Sequence, residues 1–87
     1  MYYIYHIYNR KIGCTIRPKQ RIEIEQNCNP NQYEILEIHN NIDIASNRER
    51  ELQIKYNKLY GYSIDKHLYS VVINGVNCRK AFDDLFR

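Results

Sequence analysis

Tyr2-Tyr3-Ile4-Tyr5-His6-Ile7-Tyr8-Asn9-Arg10-Lys11-Ile12-Gly13-Cys14-Thr15 opens the chain. Two aromatic and β-branched runs, Tyr2 to Tyr8 and Lys11 to Thr15, flank the polar pair Asn9-Arg10 and read as a β-hairpin. Turn length decides which side chains share a face. A two-residue turn pairs Tyr8 with Lys11 and sends Tyr5 to the face away from Lys11. A three-residue turn, Tyr8-Asn9-Arg10, sets Ile7 opposite Lys11 and puts Tyr5 and Lys11 together, because side chains alternate along a strand.

Beyond the hairpin, Pro18 suits the first position of a helix running from Lys19 to about Gln26. Asn27-Cys28-Asn29-Pro30-Asn31 is a loop, and Tyr33 to Ile38 reads as a third strand. Asp43 can cap a long helix from Ile44 to Tyr60, closed by Gly61 at the position after the last turn. Asn74-Gly75 marks a turn, and Arg79 to Phe86 a short terminal helix. The order strand, strand, helix, strand, helix gives a small α+β fold, with about three antiparallel strands flanked by helices. Its core spans about residues 2–60, followed by a less regular tail over 62–87.

Composition narrows the classes. The chain has 87 residues, of which 44% are hydrophobic and 26% charged. That balance belongs to one small folded domain rather than a disordered segment. No apolar run approaches the ~18 residues of a membrane span. Met1 to His6 lacks the basic start and apolar stretch of a secretory signal. Cys14, Cys28 and Cys78 are scattered, without zinc spacing, and fit reduced thiols in a cytoplasmic setting. The net charge is only +3, but Arg10, Lys11, Arg17, Lys19 and Arg21 precede the first acid, Glu23. A basic first quarter is a candidate surface for a polyanion, with Arg10, Arg17 and Lys19 as nucleic-acid contacts; charge alone fits a solvated face equally well. The nine tyrosines, beside abundant Ile and Asn, match what an AT-rich coding sequence gives without functional cause.

The long helix carries the sharpest signal. At about 100° per residue from Ala45, Leu52, Tyr56, Leu59 and Tyr60 fall within about 60° and form a buried stripe. Glu49 falls at roughly 40°, inside it. Glu51 and Lys58 point the other way, and Ile54 is the outward apolar exception. A carboxylate in a buried stripe is costly unless it is paired or holds a metal. Glu49 therefore implies either an ion pair with Arg48, Arg21 or Lys11 (or a place at the stripe's edge), or a metal ligand or catalytic carboxylate.

Several motifs occur in order. Tyr3-Ile4-Tyr5 precedes Lys11-Ile12-Gly13, Arg21 lies eight residues after Gly13, and Ala45-Ser46-Asn47-Arg48-Glu49 opens the long helix. This set resembles the GIY-YIG nuclease family, in which Gly-Ile-Tyr is followed by Tyr-Ile-Gly, an arginine eight residues on and a glutamate four residues after an alanine. The likeness covers about residues 2–60 and is nearest to short stand-alone members of phage or virus type, which also carry a Lys-Ile-Gly-Cys-Thr-like stretch and a Leu-Gln such as Leu52-Gln53. It implies hydrolysis of a DNA phosphodiester with one Mg²⁺ or Mn²⁺ ion, as a nick or, through a homodimer, a double-strand cut. RNA stays open as substrate, and a partner or dimer would have to supply sequence preference. By the resemblance, the Tyr5 phenol positions or deprotonates the attacking water, Arg21 neutralises the phosphate and Glu49 binds the metal. Tyr3 stands in place of the family glycine and Lys11 in place of the family tyrosine. A lysine there can hold water or phosphate, act as a base if buried, or mark a decayed scaffold that only binds nucleic acid or protein. Asn57 and Asn77 both stand as counterparts of the family's downstream asparagine. A composite site of Tyr5, Lys11, Arg21 and Glu49 requires the odd-length hairpin turn. Gly13 lets backbone approach either Arg21's helix or substrate. Cys14 reads as core, His6 and His39 as ordinary strand residues, and His67 as a loop residue. Tyr2/Tyr3 and Tyr60/Tyr62 read as packing.

Overall fold

The computed structural model describes residues 1–73. The turn expected at Asn74-Gly75, the helix expected over Arg79 to Phe86, and Asn77 and Cys78 lie outside the described residues. The fold is α+β, with three antiparallel strands in one sheet and helices packed on it. Strands β1 (Tyr2–Ile7), β2 (Lys11–Thr15) and β3 (Tyr33–His39) lie in the order β2-β1-β3. Between β2 and β3 come a helical segment α1 (Lys19–Glu25) and a single 3₁₀ turn (Pro30–Gln32). After β3 comes the long helix α2 (Ile42–Tyr60).

The hairpin takes the three-residue turn. Ile7 pairs with Lys11 and Tyr5 with Gly13, so Tyr5, Ile7, Lys11 and Gly13 share one face. Asn9 sits at the loop's centre with φ 59°, a left-handed conformation that asparagine tolerates. β1 ends at Ile7, one residue short of the expected strand, because Tyr8 turns its N–H to the Gln32 carbonyl at 3.0 Å. A bulge in β3 offsets its pairing with β1 between Ile4 and Tyr5. The bulge lets Leu36 join the core while its neighbour Glu37 also reaches the long helix.

Two cores result, one on each face. Ile4, Ile12 and Cys14 pack against Ala45 and Leu52 of α2. Tyr5 and Ile7 pack against Ile22 of α1 and Cys28. At about 25 cal/mol per Å² of buried apolar surface, burying an isoleucine such as Ile4 or Ile22 is worth ~2 kcal/mol, so each helix is held chiefly by such anchors. The helix expected from Lys19 is present as α1, with the wider turns of a π-helix. Its wide turns bury Ile22 and leave Ile24 exposed, and the chain leaves through Asn27 at φ 55°.

The cap of α2 differs from expectation. Asn41, not Asp43, caps the helix: its side-chain oxygen accepts from the N–H groups of Asp43 at 2.8 Å and Ile44 at 3.1 Å. Asp43 instead lies in the first turn, where its charge complements the helix dipole. Gly61 ends the helix with φ 76° and donates its N–H to the Asn57 carbonyl at 2.8 Å. The buried stripe is Ala45, Ser46, Glu49, Leu52 and Gln53. Leu59 and Tyr60, expected in it, are exposed, because the sheet does not extend beneath the last turn of the helix. Glu37 clamps α2 to β3: Arg48 Nε donates to it at 3.0 Å. Those hydrogen bonds, joined by one from His39, hold the Glu37 carboxyl down at about 2.

After α2 the chain is less regular, with neither helix nor strand over 61–68. It crosses the molecule on three polar anchors, Tyr62 and Ser70 buried and Asp65 exposed. The Tyr62 hydroxyl lies 2.9 Å from His6 Nε2. Asp65 is held by Gln53. Ser70 donates its N–H to Ser46 Oγ at 3.2 Å, opening a helical turn over 69–73. No helix among the described residues is long and apolar enough to cross a membrane.

Candidate functional site

β2 is an edge strand, and a cavity of about 540 Å³ lies along it. Lys11, Gly13 and Thr15 from one face of β2 and Cys14 from the other all line this cavity, so it wraps the strand's free edge. Tyr5, Arg21 and Glu49 reach it from β1, α1 and α2. The four residues expected to form a composite site therefore meet around one space, each from a different element.

Gly13 explains how Tyr5 gets there. Tyr5 lies one strand inward, and its ring crosses β2 directly over Gly13: a Cβ at residue 13 would sit 2.3 Å from both Cζ and the hydroxyl of Tyr5. The close approach needing glycine is thus that of the Tyr5 ring, neither Arg21's helix nor substrate. Tyr5 is 1% exposed, and its hydroxyl accepts from Gln26 Nε2 at 3.1 Å. Burial raises the phenol's pKa; the neighbouring Arg21 and Gln26 oppose this, and the Glu49 carboxylate adds to it. The phenol is a proton-bearing group near neutral pH, suited to orienting a ligand rather than to serving as a free phenolate.

Arg21 is half-exposed and reaches Glu25 one turn on, at 2.9 Å. A surface pair of this kind is weak, ~0.5 kcal/mol, so the guanidinium can be drawn away by a stronger anion. The helix beneath it is fixed by Ile22 in the core, by the Tyr33 hydroxyl on Glu23 at 2.8 Å, and by Arg10, which donates to the Gln26 carbonyl at 3.2 Å.

Glu49 is 4% exposed. None of the ion pairs open to it on sequence forms: Arg48 pairs with Glu37 and Glu51, Arg21 with Glu25, and Lys11 lines the cavity without an ion pair among the described residues. Among the described residues the Glu49 carboxylate has no hydrogen-bond partner, while no fully buried side-chain oxygen or nitrogen lacks one. Its oxygens therefore open on the cavity. Burial, and after it the charge of Asp65, push its carboxyl up to about 7, against the pull of Lys11 and Arg50.

Sequence reasoning missed the far wall of the site. Asp65, Lys66, His67 and Tyr69 line the same cavity; His67 is a loop residue, as expected, on its wall. Of the residues expected to contact nucleic acid, Arg17 and Lys19 are exposed beside α1, whereas Arg10 lies at the hairpin tip, spent on Gln26 and Cys28 and outside the cavity. Asn57 holds the Tyr62 carbonyl at 2.7 Å and stands away from the cavity. Cys14 is buried core, its thiol pushed up to about 12 by burial and by Glu49, and is no nucleophile. His6 points to the α2 side, between Glu34 at 3.1 Å and Tyr62. Comparison with family models, curated proteins and solved structures gives no match to the chain, so the chemistry of this site rests on its own residues.

Two outcomes follow for the free protein. Gly13→Ala should destabilise the fold by about 1–3 kcal/mol, since the added methyl displaces the Tyr5 ring. In a Tyr5→Leu background the same change should cost far less; equal costs by urea unfolding would mean the ring does not cross residue 13. Glu49 gives the second. Its folded pKa lies above the ordinary 4.5, so the folded state holds the proton more tightly than the unfolded chain. In chelator, wild-type stability should fall as pH rises from about 4.5 to about 7, by up to ~3 kcal/mol, and level off above. Glu49→Gln should lack that fall. Identical pH profiles of melting temperature for the two would show that Glu49 is not a buried, unpaired acid.

Proposed function

We propose that the chain is a metal-dependent endonuclease of the GIY-YIG type, hydrolysing phosphodiester bonds of DNA. The convergence of Tyr5, Lys11, Arg21 and Glu49 on one open cavity is the observation that carries this reading. Phosphodiester hydrolysis needs an oriented water, positive charge on the phosphate oxygens and little covalent chemistry from the protein. These residues are of the right kinds. The protonated Tyr5 phenol orients the water, accepting from Gln26 as it donates toward the cavity. Arg21 exchanges its weak hold on Glu25 for a bidentate grip on phosphate, for which its planar fork is suited. Lys11 supplies a second positive charge at the position where the resembled family has tyrosine.

The donor set also fits a divalent cation. Glu49 is a buried carboxylate with no hydrogen-bond partner among the described residues, open to the cavity, and hard cations take such oxygens along with water and phosphate. Glu49 would hold a Mg²⁺ or Mn²⁺ ion, which would supply positive charge to offset the negative charge developing on the phosphate. Exposed Arg17, just before the Arg21 helix, and Lys19, its first residue, serve the DNA backbone, contacts that position without reading bases.

A second reading, a decayed scaffold that binds nucleic acid or protein without cleaving, draws on Lys11 in place of tyrosine. Plasmid nicking in Mg²⁺ or Mn²⁺ separates the two. The expected result is metal-dependent nicking by wild type, reduced about a hundredfold or more in Glu49→Gln and in Arg21→Ala. Equal nicking by Glu49→Gln, or salt-sensitive DNA binding with no nicking, would reject the nuclease reading.

A further inference from the structure

Asp65 lies on the wall of the same cavity as Glu49, on a segment outside the motifs that carry the nuclease reading. Its position is set with care. The Gln53 side chain, 1% exposed, donates from Nε2 to Asp65 Oδ2 at 2.9 Å and accepts the Asp65 N–H on Oε1 at 3.1 Å. Gln53 Nε2 also meets the Ile12 carbonyl at 3.2 Å, tying this clamp to β2. Arg50 fastens the Asp65 backbone carbonyl at 2.8 Å. One carboxylate oxygen, Oδ1, has no hydrogen-bond partner among the described residues.

Tethering alone gives no reason for an acid. Gln53 needs an acceptor, and an amide oxygen would serve equally. The negative charge adds repulsion toward Glu49, a side chain more than nine-tenths buried, without a partner among the described residues, and open to the same space. Lys11 and Arg50 offset that repulsion only in part and at a distance: Arg50 is turned to the Asp65 carbonyl, and Lys11 forms an ion pair with neither acid among the described residues. A small, hard cation between the two carboxylates would neutralise it directly.

We propose that Asp65 is a second carboxylate ligand, so that Glu49 and Asp65 together hold one divalent cation on the wall of this cavity. The proposal deepens the nuclease reading and rests on it for what the cation does. The described residues contain no group of three or more His, Cys, Asp or Glu placed to hold a metal, so the remaining positions fall to water and to oxygens of a bound phosphate, as hard cations accept. Gln53 is the residue that positions Asp65.

The test is Mn²⁺ binding by the full chain at neutral pH, without DNA, read from the electron paramagnetic resonance of free Mn²⁺. Circular dichroism and melting temperature check the fold of each variant. Asp65→Asn keeps an oxygen for Gln53 and removes only the charge. Wild type should show one saturable site, weakened at least about tenfold by Asp65→Asn and by Glu49→Gln, and lost in the double variant. Wild-type affinity in folded Asp65→Asn, or no saturable site in wild type, overturns the proposal. Nicking by wild type with unchanged Mn²⁺ affinity in Asp65→Asn would remove Asp65 alone and leave the nuclease reading standing. A Mn²⁺ site that needs both acids, in a protein that does not nick, would reject the nuclease reading and uphold the site.

Discussion

A carboxylate turned inward without a positive partner constrains everything around it. Glu49 sits on the sheet-facing side of α2, where an alanine or leucine would pack at no electrostatic cost. Isolated burial of a charge is prohibitive, and the molecule reconciles it with folding by opening a cavity beside the helix rather than by supplying an ion pair. The nearby arginines are committed elsewhere, Arg48 to Glu37, Arg50 to the Asp65 carbonyl and Arg21 to Glu25, and Lys11 lines the cavity without pairing with Glu49 among the described residues. The site is therefore left electrostatically incomplete, a state common to functional sites and rare in packed cores.

The free edge of β2 is where this becomes chemistry. Edge strands are a hazard that proteins usually blunt or cover. Here the edge is wrapped by side chains from both faces of the sheet. Glycine at residue 13 lets a tyrosine from the neighbouring strand reach across, and the odd-length turn of the hairpin puts Lys11 on the same side. α1 presents Arg21 from that side and α2 presents Glu49 from the other. The segment after α2 folds back to form the outer wall, fixed by Tyr62, Asp65 and Ser70 to His6, Gln53 and Ser46.

Much of this was legible in the chain, for physical reasons. The hairpin follows from local residue preference; parity alone leaves its turn length open, and the odd turn follows only from the requirement that Tyr5 and Lys11 share one site. Glu49 follows from helical periodicity, and Gly61 from the left-handed conformation that closes the helix. What escaped reading lacks a local pattern. Asn41 and Asp43 are both good caps, and only the approach of the chain from β3 decides between them. The wide turns of α1 have no composition signature. The segment over 62–73 joins the core through Tyr62 and Tyr69 but is otherwise held by polar pairs across 12 to 56 positions of sequence, which periodicity does not register. Leu59 and Tyr60 fit the helical stripe, but a stripe does not reveal where the sheet beneath it stops.

The most direct measurement is a crystal of the full chain grown with Mn²⁺ and examined by anomalous scattering at the manganese edge. The account predicts a single strong peak within about 2–2.5 Å of a Glu49 carboxylate oxygen, on the cavity side of β2. A Glu49 side chain hydrogen-bonded to Lys11 or Arg21, with no peak beside it, would contradict it.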